Sequence, residues 1–203
     1  MPVAAVITGD IVNSTLLAPK LEKKLIAQLS ILLKGHKFEF YRGDSFQVYI
    51  KSPSEALELL FRLRAQARCY SFIHDVRGSI GIGKMDAPLR NLRTATSEAF
   101  VLSGRAFDQL SGDQRMLIQS VNKEANTAFR VIAYYGDFIF KRLTSKQAEV
   151  VLQLLKENTQ TEAAKKLKKS QATVSKHLQA AAWNEMQKLI MEYKHVITQF
   201  KIV

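Results

Sequence analysis

The segment 143–182 contains three closely spaced helix starts, and it constrains the fold more than any other part of the chain. Thr144 is followed three residues later by Gln, and Thr159 by Glu, which is the capping-box pattern of a helix N-terminus. Ser170 is a favourable N-cap for a third helix. Only a two-lysine turn at 168–169 separates the second helix from the third, so these helices must cross closely. The spacing predicts a helix-turn-helix.

The third helix has one apolar face and one polar face. Val174, Leu178 and Ala181 recur at helical spacing and are expected to pack inward. The opposite face carries short polar side chains of the kind that read base edges in the major groove, while nearby lysines can contact phosphates. The predicted DNA-binding residues are Lys165, Lys168, Lys169, Ser170, Gln171, Thr173, Ser175, Lys176 and Gln179. The alternative is a helical hairpin that contacts a protein and leaves its lysines solvated.

Charge and cysteine content limit the class of protein. The formal net charge is +12, and the segment from Lys141 to the end, with 12 basic and 5 acidic residues, carries more than half of it. This balance favours a polyanionic partner such as nucleic acid over a merely solvated basic surface. The single cysteine, Cys69, excludes a disulfide framework and is typical of a reducing, cytoplasmic compartment. We expect no signal peptide, because the apolar N-terminus is broken by Asp10 and lacks a basic leader and a cleavage site. We also expect no membrane span, because no apolar run is long enough.

The first 140 residues alternate between strand and helix patterns. A continuous apolar run at 3–12 predicts a central strand that is buried on both faces. The tight turn Arg42-Gly43-Asp44 separates strand patterns at 37–41 and 45–50 and predicts a hairpin. The other predicted elements are helices at 16–33, 54–68 and 95–110 and strands at 76–84 and 116–121.

The order of these elements, β-α-β-β-α-β, predicts an α+β protein whose first domain, residues 1–140, is ferredoxin-like (βαββαβ). A link near 135–142 is expected to lead into an all-α domain at residues 141–203. This second domain would contain the helix-turn-helix and a long helix at 180–200.

The long C-terminal helix has an apolar seam of three heptads. Trp183, Ile190 and Ile197 repeat every seven residues, and a second set offset by three does the same; its members are Met186, Tyr193 and Phe200. A seam of this kind either pairs with a second copy in a homodimer or packs on the first domain of its own chain. Both alternatives stay open at this point.

Two polar segments lie on neighbouring strands of the predicted sheet. Asp10 ends the first strand and Asp44 belongs to the hairpin, so both carboxylates are expected at one end of the sheet. Together with the carbonyl of Ile11 they are oxygen ligands of the kind that Mg²⁺ prefers, and Mg²⁺ can hold a nucleotide triphosphate. The predicted metal ligands are Asp10, Ile11 and Asp44, and the predicted nucleotide-binding residues are Asn13, Ser14, Arg42 and Gly43. The alternative is that Asp10 is a cap and Gly-Asp an ordinary turn.

These segments resemble the palm-type catalytic domain of class III nucleotide cyclases and the related GGDEF enzymes. There, a strand ending in Asp-Ile-x-x-Ser/Thr and a Gly-Asp hairpin supply two metal-binding aspartates, which Asp10 and Asp44 match. Arg105 matches the arginine that acts in the transition state and is the candidate catalytic residue. Val101 stands where the family has an Asn, and Phe40 where adenylate cyclases have a base-selecting Lys. The resemblance implies nucleotide or metal binding and leaves enzymatic activity open.

Nearly the full length of the chain resembles the SatD-like family. The shared strings are ITGDIVNS at 7–14, RGDSFQ at 42–47, a glycine-rich strand at 77–83 and a Leu-Thr-x-x-Gln helix start at 143–147. The C-terminal part alone is similar to the DNA-binding regions of sigma factors and response regulators. Those motifs often have Gly and an apolar residue at the turn, where this chain has lysines.

Together these features predict a cytoplasmic DNA-binding protein with no membrane association. It would be a transcriptional regulator, active as a homodimer, whose cyclase-like domain binds or senses a nucleotide with Mg²⁺. The alternative is a nucleotidyl-transfer enzyme that uses Asp10 and Asp44 as metal ligands. A third possibility is a scaffold in which the palm is an inactive fold.

Overall fold

A computed structural model describes residues 1–86, 89, 91–92 and 94–202. This part of the chain contains one five-stranded sheet and eight α-helices, which confirms the α+β class. The elements are β1 (Val3–Val12), α1 (Pro19–Leu32), β2 (Lys37–Tyr41), β3 (Ser45–Ile50), α2 (Ala56–Arg68), β4 (Asp75–Lys84), α3 (Glu98–Asp108), β5 (Met116–Ser120), α4 (Lys123–Arg142), α5 (Ser145–Leu155), α6 (Gln160–Leu167), α7 (Gln171–Ala180) and α8 (Trp183–Gln199). None of the helices in the described ranges is both long enough and apolar enough to cross a membrane.

The sheet has the order β2-β3-β1-β4-β5. The central strand β1 is antiparallel to both β3 and β4, whereas β5 is parallel to β4. Residues 4–7 of β1 are buried on both faces, as the continuous apolar run predicted. The β1–β4 register places Asp10 opposite Arg77 at the end of the sheet where the hairpin turn also lies.

Helices cover both faces of the sheet. Ile7 and Ile80 belong to the main core that α1, α2 and α4 complete. On the other face, α3 lies unusually close to β4 because Gly81 has no side chain. A Cβ at this position would lie 2.3 Å from the backbone nitrogen of Ser103.

The link predicted near 135–142 is wrong, because α4 runs without a break from Lys123 to Arg142. The physical reason is packing at Gly136, where a Cβ would lie 2.6 Å from Cε of Met116 and 3.2 Å from the ring of Phe61. This glycine lets α4 approach β5 and α2 closely. The main core continues from the sheet through α4 into α5–α8. The division into domains 1–140 and 141–203 stays a prediction.

The seam of α8 packs inside its own chain. Tyr193 is fully buried, with its ring centroid 5.5 Å from that of Phe129 on α4. Its hydroxyl donates a 2.9 Å hydrogen bond to the carbonyl oxygen of Pro53. Met186 and Ile197 are buried as well. Of the two alternatives for the seam, contact with the first part of the chain is the one that the structure shows.

Candidate functional site

The three helix starts in the C-terminal segment are confirmed. The Thr144 hydroxyl accepts from the backbone N–H of Gln147, and the Gln147 side chain accepts from the backbone N–H of Thr144, at 3.3 and 2.9 Å. Thr159 and Glu162 form the same reciprocal pair, and the Ser170 hydroxyl accepts from the backbone N–H of Thr173. These caps satisfy N–H groups that a helix cannot pair internally.

Helices α6 and α7 meet at the two-lysine turn. Lys168 adopts a left-handed conformation with φ +53°, and the Lys169 N–H donates to the carbonyl oxygen of Ala164. Val174 and Leu178 of α7 are buried, which confirms the predicted inward face. The other residues of α7 are exposed or half-buried.

Most of the predicted DNA-binding residues, on α6, α7 and the turn between them, are exposed. Lys165, Lys168, Ser170, Gln171, Ser175, Lys176 and Gln179 are exposed, whereas Thr173 and Lys169 are half-buried. Several of them already have protein partners, and Ser170 and Thr173 hydrogen-bond each other. The Lys169 ammonium lies 3.7 Å from a Glu149 carboxylate oxygen, and the Gln171 amide donates to the Thr161 hydroxyl at 2.6 Å.

The second predicted site lies at the end of the sheet. Asp10 accepts two hydrogen bonds from Arg77, at 3.2 Å from Nε and 2.5 Å from Nη2. Asp44 accepts a 2.5 Å bond from the Ser14 hydroxyl. The hydrogen bond with Asp10 is the main cause that raises the pKa of Arg77, and the charge of Asp44 adds to it. Arg77 therefore pairs directly with one of the two carboxylates that were predicted to hold a metal.

This arrangement does not fit Mg²⁺ as predicted. Both carboxylate oxygens of Asp10 are held by a guanidinium, and Ile11 is buried. Among the residues that the structure describes, no group of three or more His, Cys, Asp or Glu could hold a metal ion. Binding at Asp10 would require the ion pair with Arg77 to open, so the metal site stays a prediction.

The remaining predicted residues of the sheet domain are scattered around this end. Asn13 has φ +59°, and its amide donates to the carbonyl oxygen of Ile73 at 2.8 Å. Arg42 and Gly43 form the exposed hairpin turn, with φ +90° at Gly43 as a tight turn requires. Arg105 is exposed on α3, and no hydrogen bond or ion pair joins its guanidinium to another of the residues that the structure describes. The structure does not bring Arg105 into contact with Asp10 or Asp44.

Sequence reasoning missed a buried ionic cluster below the sheet. Arg64 is fully buried and donates to both oxygens of Asp75, at 3.0 and 2.8 Å, and to Asp137 at 2.6 Å. The second oxygen of Asp137 accepts from the backbone N–H groups of Arg115 and Met116. The cluster joins α2, β4, α4 and β5. The only sequence signal is that Arg64 interrupts an apolar face of α2.

Comparison with known proteins adds little to this geometry. No protein-family model matches the sequence, and neither does any curated protein. The chain is similar to a solved structure described as the active GGEEF domain of a diguanylate cyclase from Vibrio cholerae. The identity is 12%, with a TM-score of 0.42, over 60% of this chain and 84% of that chain. Such a likeness is too weak to carry an argument, and the resemblance to the SatD-like family stays a prediction.

Proposed function

We propose that this protein binds DNA through α6 and α7 and acts as a transcriptional regulator. The observation that carries the proposal is the exposed polar surface of α7, on which Gln171, Ser175 and Gln179 are accessible to solvent. A major groove admits one α-helix, and Gln can form paired hydrogen bonds with adenine. The contact of α6 with α7 across a two-lysine turn supports a helix-turn-helix with α7 as the recognition helix.

Positive charge around α7 supports the same function. Lys165, Lys168 and Lys176 are exposed, and they lie on the two helices and the turn that would approach the backbone of DNA. Lysines in such positions neutralise phosphates and release counterions. The half-buried Lys169 contributes less, because Glu149 already compensates its charge.

The sheet domain is proposed to sense a small molecule. Its order β2-β3-β1-β4 with antiparallel pairing supports a ferredoxin-like palm. Nucleotide binding near Asn13, Ser14, Arg42 and Gly43 remains part of this proposal. The enzymatic alternative has less support, because Arg77 occupies Asp10 and Arg105 lies apart from both aspartates.

A homodimer would need a surface other than the seam of α8. The exposed side of α4 is a candidate for this surface, because it carries four apolar or aromatic residues at helical spacing that are between 43% and 64% exposed. These residues are Val131, Tyr134, Tyr135 and Phe138. An apolar stripe of this kind on a helix surface is typical of an interaction site. Light scattering on the wild type and on Tyr134→Lys tests whether this face joins two copies.

Fluorescence anisotropy with labelled double-stranded DNA tests the main proposal. We expect salt-dependent binding at micromolar protein, first to a random-sequence pool and more tightly to selected genomic fragments. Replacing Lys165 and Lys176 by Gln should reduce the slope of log K against log salt by about 2. Lys23→Gln, an exposed lysine on α1, is the matched control. Absence of salt-dependent binding, or equal losses in the control, would overturn DNA binding by α6 and α7.

A further inference from the structure

A cavity of about 370 Å³ lies at the end of the sheet, between β1, α2, β5 and α4. Three cationic side chains line it: Arg68 from α2, Arg115 just before β5 and Lys141 near the end of α4. Its volume lies at the lower end of the range for small-molecule pockets. It lies on the α2 and α4 side of the sheet, whereas Asp10 lines no part of it.

Arg68 is a buried cation whose hydrogen bonds are incomplete. The residue is only 7% exposed, and its Nη2 donates to Asp75 at 3.2 Å. Its buried Nε has no hydrogen-bond partner among the residues that the structure describes. Burial is the main cause that lowers the pKa of Arg68, and the charges of Arg64 and Arg115 act in the same direction against the pull of Asp75. A buried donor without a partner is costly, so an acceptor in the cavity would stabilise Arg68.

The other charges at the cavity leave room for an anion. Asp75 also lines it, but Arg64 already compensates that carboxylate through two hydrogen bonds. Asp113 is paired with Lys141 at 3.4 Å, and both side chains are more than half exposed. Exposed pairs of this kind contribute little energy. Lys141 can therefore release Asp113 and bind an anionic ligand instead. The Arg115 guanidinium donates one hydrogen bond to the Gly112 carbonyl, and its other N–H groups can bind the same ligand.

Apolar side chains stand beside the cations. Phe72 and Ile73 also line the cavity, and they are 70% and 39% exposed. An exposed aromatic ring next to arginines suits a ligand that combines a flat ring with an anionic group, because rings stack while arginines bind phosphate oxygens.

We infer that this cavity binds a phosphate-bearing small molecule, with its phosphate on Arg68, Arg115 and Lys141 and an apolar or aromatic part against Phe72. Nucleoside monophosphates and similar phosphomonoesters have this chemistry. The inference rests on the sensing role proposed for the sheet domain and names its ligand class. It does not depend on DNA binding.

Isothermal titration calorimetry on the full chain tests the inference with inorganic phosphate, pyrophosphate and adenosine monophosphate. We expect saturable binding that Arg115→Gln and Lys141→Gln each weaken about tenfold, since hydrogen bonds to charged groups are among the stronger ones. Phe72→Ala should weaken adenosine monophosphate and leave inorganic phosphate unchanged. Lys23→Gln is the matched control, and circular dichroism checks that each variant is folded.

The outcomes separate the ligand sources and the two proposals. Loss of adenosine monophosphate affinity in Phe72→Ala supports a ligand with a ring, whereas adenosine monophosphate affinity equal to that of the wild type supports free phosphate as the source. No saturable binding of any probe, or binding that neither Arg115→Gln nor Lys141→Gln weakens, would overturn the inference. DNA binding by the same variants should equal that of the wild type. If the wild type binds phosphate but does not bind DNA, only the proposed role as a transcriptional regulator is overturned.

Discussion

Asp10 and Arg77 face each other across β1 and β4, and the guanidinium donates to both oxygens of the carboxylate. Arg77 also lies over the ring of Phe107, 4.8 Å from its centroid. The pair is partly exposed, with 20% of the Asp10 side chain and 32% of the Arg77 side chain accessible. The carboxylate that most resembles a metal ligand in the sequence is thus held by a cation of the same sheet.

Arg77→Gln is expected to release Asp10 for a divalent cation. Millimolar Mg²⁺ should then raise the melting temperature of Arg77→Gln and leave that of the wild type unchanged, because a free carboxylate beside Asp44 is a better oxygen ligand than a paired one. Differential scanning fluorimetry measures both. The double variant with Asp10→Asn is the control and should lose the shift. If Mg²⁺ already raises the melting temperature of the wild type and no longer does so in Asp10→Asn, the ion pair between Asp10 and Arg77 opens to bind the metal.

Arg64→Met is expected to destabilise the fold by about 3–5 kcal/mol, because it leaves the carboxylates of Asp75 and Asp137 buried without their cation. Arg62→Met is the matched control on the same helix. Arg62 is half-buried and pairs with Glu58 at 2.6 Å, so its loss should cost less than about 1 kcal/mol. Urea unfolding followed by circular dichroism gives both values. Equal losses in the two variants would contradict a special role for the buried cluster.

The continuous core predicts cooperative unfolding of the whole chain. Tyr193→Phe should cost about 1 kcal/mol, because the Pro53 carbonyl loses its donor while the ring still packs on Phe129. The calorimetric enthalpy should equal the van't Hoff enthalpy in the wild type and in this variant. Two separate calorimetric transitions would show that residues 1–140 and 141–203 unfold independently.

Lys168→Gly is expected to separate stability from DNA binding. Lys168 is in the left-handed region at the end of α6, where a residue with a Cβ is strained by about 1 kcal/mol. Glycine should raise the free energy of unfolding and also weaken the proposed DNA binding, because one of the proposed phosphate contacts is lost. Urea unfolding and anisotropy measure the two effects. Asn also tolerates this conformation, so Lys168→Asn should change both quantities in the same direction as Lys168→Gly.

The raised pKa of Cys69 predicts a loss of stability in alkaline solution. Burial raises the pKa of its thiol to about 12, and the charge of Glu149 adds to this effect. In the unfolded chain the thiol ionises at about pH 8.5, so above that pH the unfolded chain loses a proton that the folded chain keeps. The free energy of unfolding should therefore decrease as pH rises from there towards 12, by up to ~1.4 kcal/mol per pH unit.

The control for this effect is Cys69→Ala, studied by urea unfolding between about pH 8.5 and 10. In this variant the free energy of unfolding should decrease less steeply with pH, by about the slope expected for one thiol. The folded wild type should also react slowly with a thiol-reactive disulfide reagent at pH 8. Cys69 is half-buried, so rapid labelling of the folded chain, or identical pH profiles for the two proteins, would contradict the raised pKa of this thiol.

Sequence reasoning succeeded where the evidence lay within a few residues. The caps at Thr144, Thr159 and Ser170 were predicted from spacing alone, since a cap is a contact between a side chain and a backbone group three positions away. It failed at α4, because the close packing around Gly136 depends on Met116 and Phe61, which are distant in the chain.

The sequence by itself determined the elements of this protein: the buried central strand, the hairpin, the helix starts of α5–α7 and the inward face of α7. Tertiary structure alone decided the partners of the charged and aromatic groups. Arg77 pairs with Asp10 across 67 positions, Arg64 with Asp137 across 73 and Tyr193 with Pro53 across 140. Periodicity and capping depend on neighbours in the chain, whereas a side chain's partner depends on how whole elements pack. For that reason the sequence could suggest a metal site at Asp10, and only the fold could place a guanidinium there.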